Sequence, residues 1–99
     1  MSEAVEITHS EHENGGEYRA TVSDSEHFGR MTWVKAGQDV RLVDHTIVPP
    51  AIGGRGIAAR LVDAIVADAR EQGFRIIPQC SYVAAQFRRH PEWADLLAN

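Results

Sequence analysis

Three stretches of this chain hold residues able to do chemistry. They are a thiol at Cys80, an imidazole leading an extended run from His45 to Val48, and a glycine turn, Gly53-Gly54-Arg55-Gly56, set before a helix-patterned segment. The turn is the most informative. A helix N-terminus carries unpaired N–H groups and the positive end of the aligned peptide dipoles, so a turn that feeds one forms a main-chain cradle for phosphates. Gly53, Gly54 and Gly56 permit the tight path and close ligand approach. Arg55 and Arg60 stand where they can reach either phosphates or solvent. The turn is not a Walker loop, because no Gly-Lys-Ser/Thr follows, and it lacks the early-strand position of a dinucleotide fingerprint.

Cys80 ends a short apolar strand and precedes a helical pattern, a setting that lowers a thiol's pKa and favours the nucleophilic thiolate. The alternative is a small buried residue beside Ile76 and Ile77. His45 lies near the carboxyl end of a strand and can act as a general base, since imidazole titrates near neutrality; the alternative is a ring that only hydrogen-bonds the adjacent turn. In a regular strand Asp44 and Thr46 point to the face opposite His45. His9, His12, His27 and His90 form no metal-ligand spacing with Cys80, so no metal is expected.

These groups must be held by a small scaffold. A chain of 99 residues makes one domain, residues 1–99, with a single core and no separate substrate domain. Hydrophobic residues at 43% and charged residues at 24% fit a globular protein, and no segment approaches a membrane span. The acidic N-terminus lacks the order of a signal peptide, and a lone cysteine excludes an intramolecular disulfide framework, which together predict a cytoplasmic location. The net charge of −4 argues against a nucleic-acid binder. Residues 1–50 carry nine acids and four bases, whereas residues 51–99 carry five acids and six bases, so the half with the glycine turn is the one that tolerates an anion.

The apolar pattern predicts an antiparallel meander of about four strands. Val5 and Ile7 alternate in the first, a turn follows at Asn14-Gly15-Gly16, and Tyr18, Ala20 and Val22 mark the second. Phe28 to Ala36 reads as the third, with Met31 and Trp33 on one face, and Gly37-Gln38-Asp39 turns into a fourth, Val40 to Val48. The period then changes to helical, with Ile57, Leu61, Ile65 and Ala69 beside Ala58, Val62 and Val66, until Gly73 ends the run. Phe74 to Pro78 is a fifth strand, parallel to the fourth through a right-handed crossover. Ser81 is placed to cap a second helix, and Pro91 starts a short final one with Trp93, Leu96 and Leu97. The class is α/β.

The residues Gly53-Gly54-Arg55-Gly56-Ile57-Ala58, preceded by His45-Thr46-Ile47-Val48-Pro49 and followed about twenty residues later by Pro78-Gln79-Cys80-Ser81-Tyr82-Val83 and then Arg89-His90-Pro91-Glu92-Trp93, give a specific order. That order resembles the small, YjdJ-type branch of the GNAT N-acetyltransferase superfamily over nearly the whole chain. The resemblance implies a pared-down GNAT-like fold that binds acetyl-CoA and transfers its acetyl group to an amine, small molecule or protein, that the sequence does not identify; a domain this small supplies little enclosing wall, which favours an exposed acceptor such as a protein lysine or N-terminus. In the superfamily's turn pattern, Gln/Arg-x-x-Gly-x-Gly/Ala, Gly56 and Ala58 hold the fourth and sixth places. Gly53 holds the first, where a basic or amide side chain is usual. The resemblance further implies that main-chain donors from Gly54 to Ala58 meet the pyrophosphate, with Ile57 among them and Arg55 supplying charge. The backbone of Ile47 and Val48 then pairs with the pantetheine arm, Cys80 lies near the thioester, and Tyr82 is a candidate proton donor to the leaving thiolate. Two alternatives remain at this level: a non-catalytic CoA or acyl-CoA-binding module, and a thiol-based redox or acyl-carrier protein centred on Cys80.

Overall fold

The computed structural model describes residues 5–98; Met1–Ala4 and Asn99, part of the expected 1–99 span, lie outside the described residues. Alternation of apolar and polar residues gives four antiparallel strands in a meander: β1 (Val5–His12), β2 (Gly15–Val22), β3 (Phe28–Lys35) and β4 (Val40–Ile47). Helix α1 (Ile57–Gln72) crosses over to β5 (Arg75–Pro78), which pairs parallel to β4 and completes the order β1-β2-β3-β4-β5. Helix α2 (Ser81–Arg89) follows, with short 3-10 helices at Pro50–Ile52 and Pro91–Leu96. The expected topology is thus present, with the fifth strand parallel to the fourth.

One face of the sheet builds the core. Tyr18, Ala20 and Val22 of β2, Met31 and Trp33 of β3, and Val43 of β4 are buried in one cluster with the apolar stripe of α1, namely Ile57, Leu61, Val62, Ile65, Val66 and Ala69. At Gly29 a Cβ would stand 3.0 Å from Ile57 Cγ2 and 3.3 Å from Val48 Cγ2, so the missing side chain lets the first turn of α1 settle against β3 and the end of β4. Phe87 and Trp93 pack edge to face and join α2 to the C-terminal segment. Beyond it, Leu97 bridges to Ile76, and Ala98 N–H donates to the Ile76 carbonyl at 2.9 Å, covering part of the outer edge of β5.

Several details differ from the sequence reading, among them three strand ends one residue in from those expected: Lys35 rather than Ala36, Ile47 rather than Val48 and Arg75 rather than Phe74. The hairpin turn is at Glu13 and Asn14, while Gly15 and Gly16 already belong to β2 and lie against Trp33, where a Cβ would meet the Trp33 carbonyl or ring. The first strand, marked in the sequence only by Val5 and Ile7, runs a full eight residues, because β2 is long enough to pair it from Val5 to His12. Ser81 does not cap α2: Cys80 occupies the N-cap position and Ser81 is the first helical residue. The final helix is of the 3-10 type, a tighter form suited to a single short run after Pro91.

Candidate active site

β4 and β5 pair only from Val40↔Arg75 to Val43↔Pro78. There the Val43 carbonyl accepts from both Gln79 N–H at 3.1 Å and Cys80 N–H at 3.0 Å, and the chain leaves the sheet for α2. Past Val43, β4 continues to Ile47 alongside β3, but its other edge has no strand partner among the described residues. The result is a wedge between the end of β4 and the start of α2. Its backbone N–H and C=O groups can accept an extended ligand as an added strand would.

A bulge in β4 decides which side chains enter this wedge. Trp33 pairs with Val43, but Thr32 pairs with His45 and Met31 with Thr46, leaving Asp44 as the extra residue. Counted from buried Val43, strict alternation would aim His45 into the core and Thr46 outward; the bulge reverses both. Thr46 shares the helix-packed face with Met31, and His45 shares the open face with Thr32 and is exposed. Asp44 was expected opposite His45. Instead its Oδ1 accepts from Thr32 Oγ1 at 2.7 Å, which places it on His45's face. Only Thr46 is opposite.

Cys80 sits in the wedge, half-buried, with Sγ 3.5 Å from Thr46 Oγ1. Partial burial pushes its thiol up. Hydrogen bonding to the sulfur from the Thr46 hydroxyl, from the Val83 and Tyr82 amides at the start of α2, and from Thr46's own backbone outweighs that burial and holds the thiol below its ordinary range. As a thiol Cys80 donates to Thr46 Oγ1; as a thiolate it accepts from the same hydroxyl, which can rotate to serve either state. Sequence inspection had not singled out Thr46. Tyr82, the second residue of α2, is half-buried and packs against the core.

At the other end of the open β4 edge lies the glycine turn. Gly54 and Gly56 have φ of 76° and 73°, a left-handed path natural to glycine, and a Cβ at either would meet nothing within 4 Å. Gly56 is the N-cap of α1, where no side chain caps the helix and no acid stands in its first turn. Arg60 N–H is bonded to the Gly56 carbonyl at 3.2 Å. Those of Ile57, Ala58 and Ala59 precede the first intrahelical bond and are available to an anion. Arg60 is exposed at this end. Arg55 is engaged with Asp24 Oδ1 at 3.1 Å, which ties the turn to the β2–β3 connection. Gly53, with φ of −70°, is ordinary extended backbone closing the 3-10 turn at Pro50.

The structure therefore brings Cys80, Thr46 and Tyr82 together at one end of the open β4 edge and Gly54–Ala58 with Arg60 at the other, with Ile47 and Val48 between. His45 is on the opposite face of the sheet from Thr46. A cavity of about 320 Å3 lies elsewhere, at the amino ends of β4 and β5. Its wall includes Arg41, sandwiched 4.0 Å from the Trp33 ring and 3.9 Å from the Phe74 ring. Arg41 donates to Tyr18 Oη and Gln72 Oε1, both at 3.3 Å, and Tyr18 Oη donates to Asp68 Oδ2 at 2.6 Å. His9 stacks on Tyr18 and takes the Trp33 indole N–H at 3.2 Å; burial, then Arg41, lowers its pKa. These polar groups satisfy one another and serve the core. Among the described residues no group of three or more His, Cys, Asp or Glu side chains is placed to hold a metal, and no helix is long and apolar enough to cross a membrane.

Comparison with known proteins bears on this geometry. Residues 17–96 match the family model for GCN5-related N-acetyltransferases, a span that includes the open edge, the glycine turn and Cys80. The fold is similar to an NMR solution structure of a GCN5-like protein from Staphylococcus aureus, at a TM-score of 0.67 and 24% identity, over 93% of this chain and 88% of that one.

Proposed function

The chain belongs to the GCN5-related N-acetyltransferase family, a family of acyltransferases, and on that premise we propose that it moves the acetyl group of acetyl-CoA onto an amine. The observation that carries this reading is the open edge of β4, running from the Cys80 thiol to an uncapped helix N-terminus entered through glycine. Residues 44–48 span roughly 16 Å of extended backbone. That edge suits a linear ligand with a reactive group at one end and an anionic group at the other.

In this reading the amides of Ile57, Ala58 and Ala59, with the turn from Gly54 to Gly56, hold the pyrophosphate, and Arg60 and Arg55 add screened positive charge. The backbone of Ile47 and Val48 pairs with the pantetheine arm. When bound, acetyl-CoA supplies a thioester already activated for attack. The chain's own residues then orient and deprotonate. α1 fills the inner face of the sheet, so the acceptor approaches from the open face, where His45 is exposed to take the proton that the amine loses as its nitrogen bonds to the acetyl carbon. The carbon–sulfur bond breaks, and Tyr82, the second residue of α2, returns a proton to the departing sulfur. Cys80 shapes the wedge beside the thioester. Direct attack by the amine needs no enzyme nucleophile. The net charge of −4 and the single thiol fit a cytoplasmic enzyme that does not rely on a nucleic-acid partner.

Calorimetric titration with acetyl-CoA and with CoA, followed by isotope-labelled acetyl transfer to a panel of amines, tests the proposal. Binding followed by labelled product supports it. Binding without transfer to any amine reduces the protein to a CoA-binding module, and absence of binding removes the reading.

A further inference from the structure

We propose that Asp44 selects the acceptor, by holding a protonated primary alkylamine on the open face of the sheet beside His45. The inference rests on the acetyl-transfer reading and adds the chemical class of the acceptor to it. The β4 bulge places two consecutive side chains, Asp44 and His45, on the same face at the point where β4 and β5 part. A regular strand would separate them.

The Asp44 carboxylate is half-buried and uses one hydrogen bond, from Thr32 Oγ1 at 2.7 Å. An ionised carboxyl offers about four acceptor sites, so with only the Thr32 hydroxyl bound most of its acceptor capacity is open to a donor from outside. Asp44 has no ion-pair partner among the described residues. The open-face arginines of β2 and β3 are committed elsewhere: Arg19 and Arg30 both pair with Glu17, at 2.9 and 3.5 Å. An ammonium group from outside is the cation that fits. It would sit next to His45, shed one proton to solvent to become the attacking amine, and lose the second to the imidazole as the new bond forms.

The surroundings favour an alkyl carrier. Ile47 is 54% exposed and Val34 is 40% exposed, the two large apolar side chains most open to solvent among the described residues. By strand register, Val34 faces Leu42 and Ile47 faces Arg30, so the pair flanks Thr32, Asp44 and His45 on the same face. A methylene chain such as that of a lysine can lie on either residue while its ammonium reaches Asp44. A neutral arylamine offers no charge to the carboxylate.

The test compares the parent with Asp44→Asn, which keeps shape and an acceptor for the Thr32 hydroxyl while removing the charge. Butylammonium is titrated against each while backbone amide shifts are followed, and KM and kcat are measured at saturating acetyl-CoA with a lysine amide and with an arylamine. The expected result is saturable shifts at Thr32, Asp44 and His45 in the parent that disappear in the variant. KM for the lysine amide should rise about tenfold with little change for the arylamine and in acetyl-CoA affinity. Absence of saturable shifts in the parent, equal shifts in both proteins, or equal KM changes for both amines overturns the proposal. Saturable, charge-dependent binding in a parent that transfers no acetyl group would sustain the ammonium site and defeat the acetyl-transfer reading instead.

Discussion

Placing a negative charge at Gly56 probes the phosphate cradle most directly. Gly56 has φ of 73°, so any side chain there is strained, by about 1 kcal/mol for asparagine or aspartate, which tolerate this region better than most. That strain acts on folding. The added Cβ meets nothing within 4 Å, so it leaves the packing of α1 intact. Gly56→Asn and Gly56→Asp share shape and strain and differ in charge. A unit charge about 6 Å from a pyrophosphate carrying about two negative charges costs about 1.4 kcal/mol in water-like dielectric, and about half that at physiological salt. Gly56→Asp should therefore bind CoA about threefold to tenfold more weakly than Gly56→Asn, with the gap closing as ionic strength rises. Calorimetric titration of CoA at low and high salt, with circular dichroism to establish folding, reads both. If folded Gly56→Asp binds CoA as tightly as the asparagine variant and the parent, the phosphates bind elsewhere and the assignment of the turn fails.

Arg55→Ala should weaken CoA binding by about 0.5–1 kcal/mol, more at low salt than at high, because a surface arginine already shared with Asp24 acts through screened charge; an affinity unchanged across ionic strength would make Arg55 a bystander. The Cys80 thiol, held below its ordinary pKa, should be alkylated by iodoacetamide with a midpoint below that of free cysteine, and Thr46→Val should move the midpoint up; coincident profiles would remove Thr46 as its partner. If Cys80 only lines the wedge, Cys80→Ala keeps substantial transfer and mass spectrometry finds no acetyl adduct, whereas loss of transfer in Cys80→Ser with CoA affinity preserved would reveal participation in the chemistry. The lowered pKa of His9 means that the unfolded chain takes up its proton first as pH falls below about 6.5, so stability contributed by the neutral ring is lost below that pH. Urea midpoints at neutral and mildly acidic pH should consequently converge in His9→Phe relative to the parent, and an equal acid loss in both proteins would remove His9 as the cause.

Much of the scaffold was legible along the chain because it depends on local periodicity. Alternation marked the four meander strands, the helical stripe from Ile57 to Ala69 marked α1, and glycine at 73 marked its end, with its N–H bonded to the Ala69 carbonyl. The uncapped start of α1 behind the glycine turn was legible for a similar reason, since glycine followed by a helix fixes where unpaired amides point. Side-chain direction in β4 was not. One unpaired residue, Asp44, reverses the faces of His45 and Thr46, and bulges depend on how a strand is read by its neighbour rather than on its own alternation. The cap of α2 moved from Ser81 to Cys80 because the Val43 carbonyl, far away in sequence, takes both Gln79 and Cys80 N–H groups and sets where the helix begins. Thr46 becomes a partner of Cys80, and Arg41 is buried between Trp33 and Phe74, only once strands distant in sequence lie side by side. Local pattern therefore determined the elements and the glycine turn that feeds α1; tertiary pairing decided which side chains share the wedge and which face the open sheet, because hydrogen-bond register across strands has no local signature.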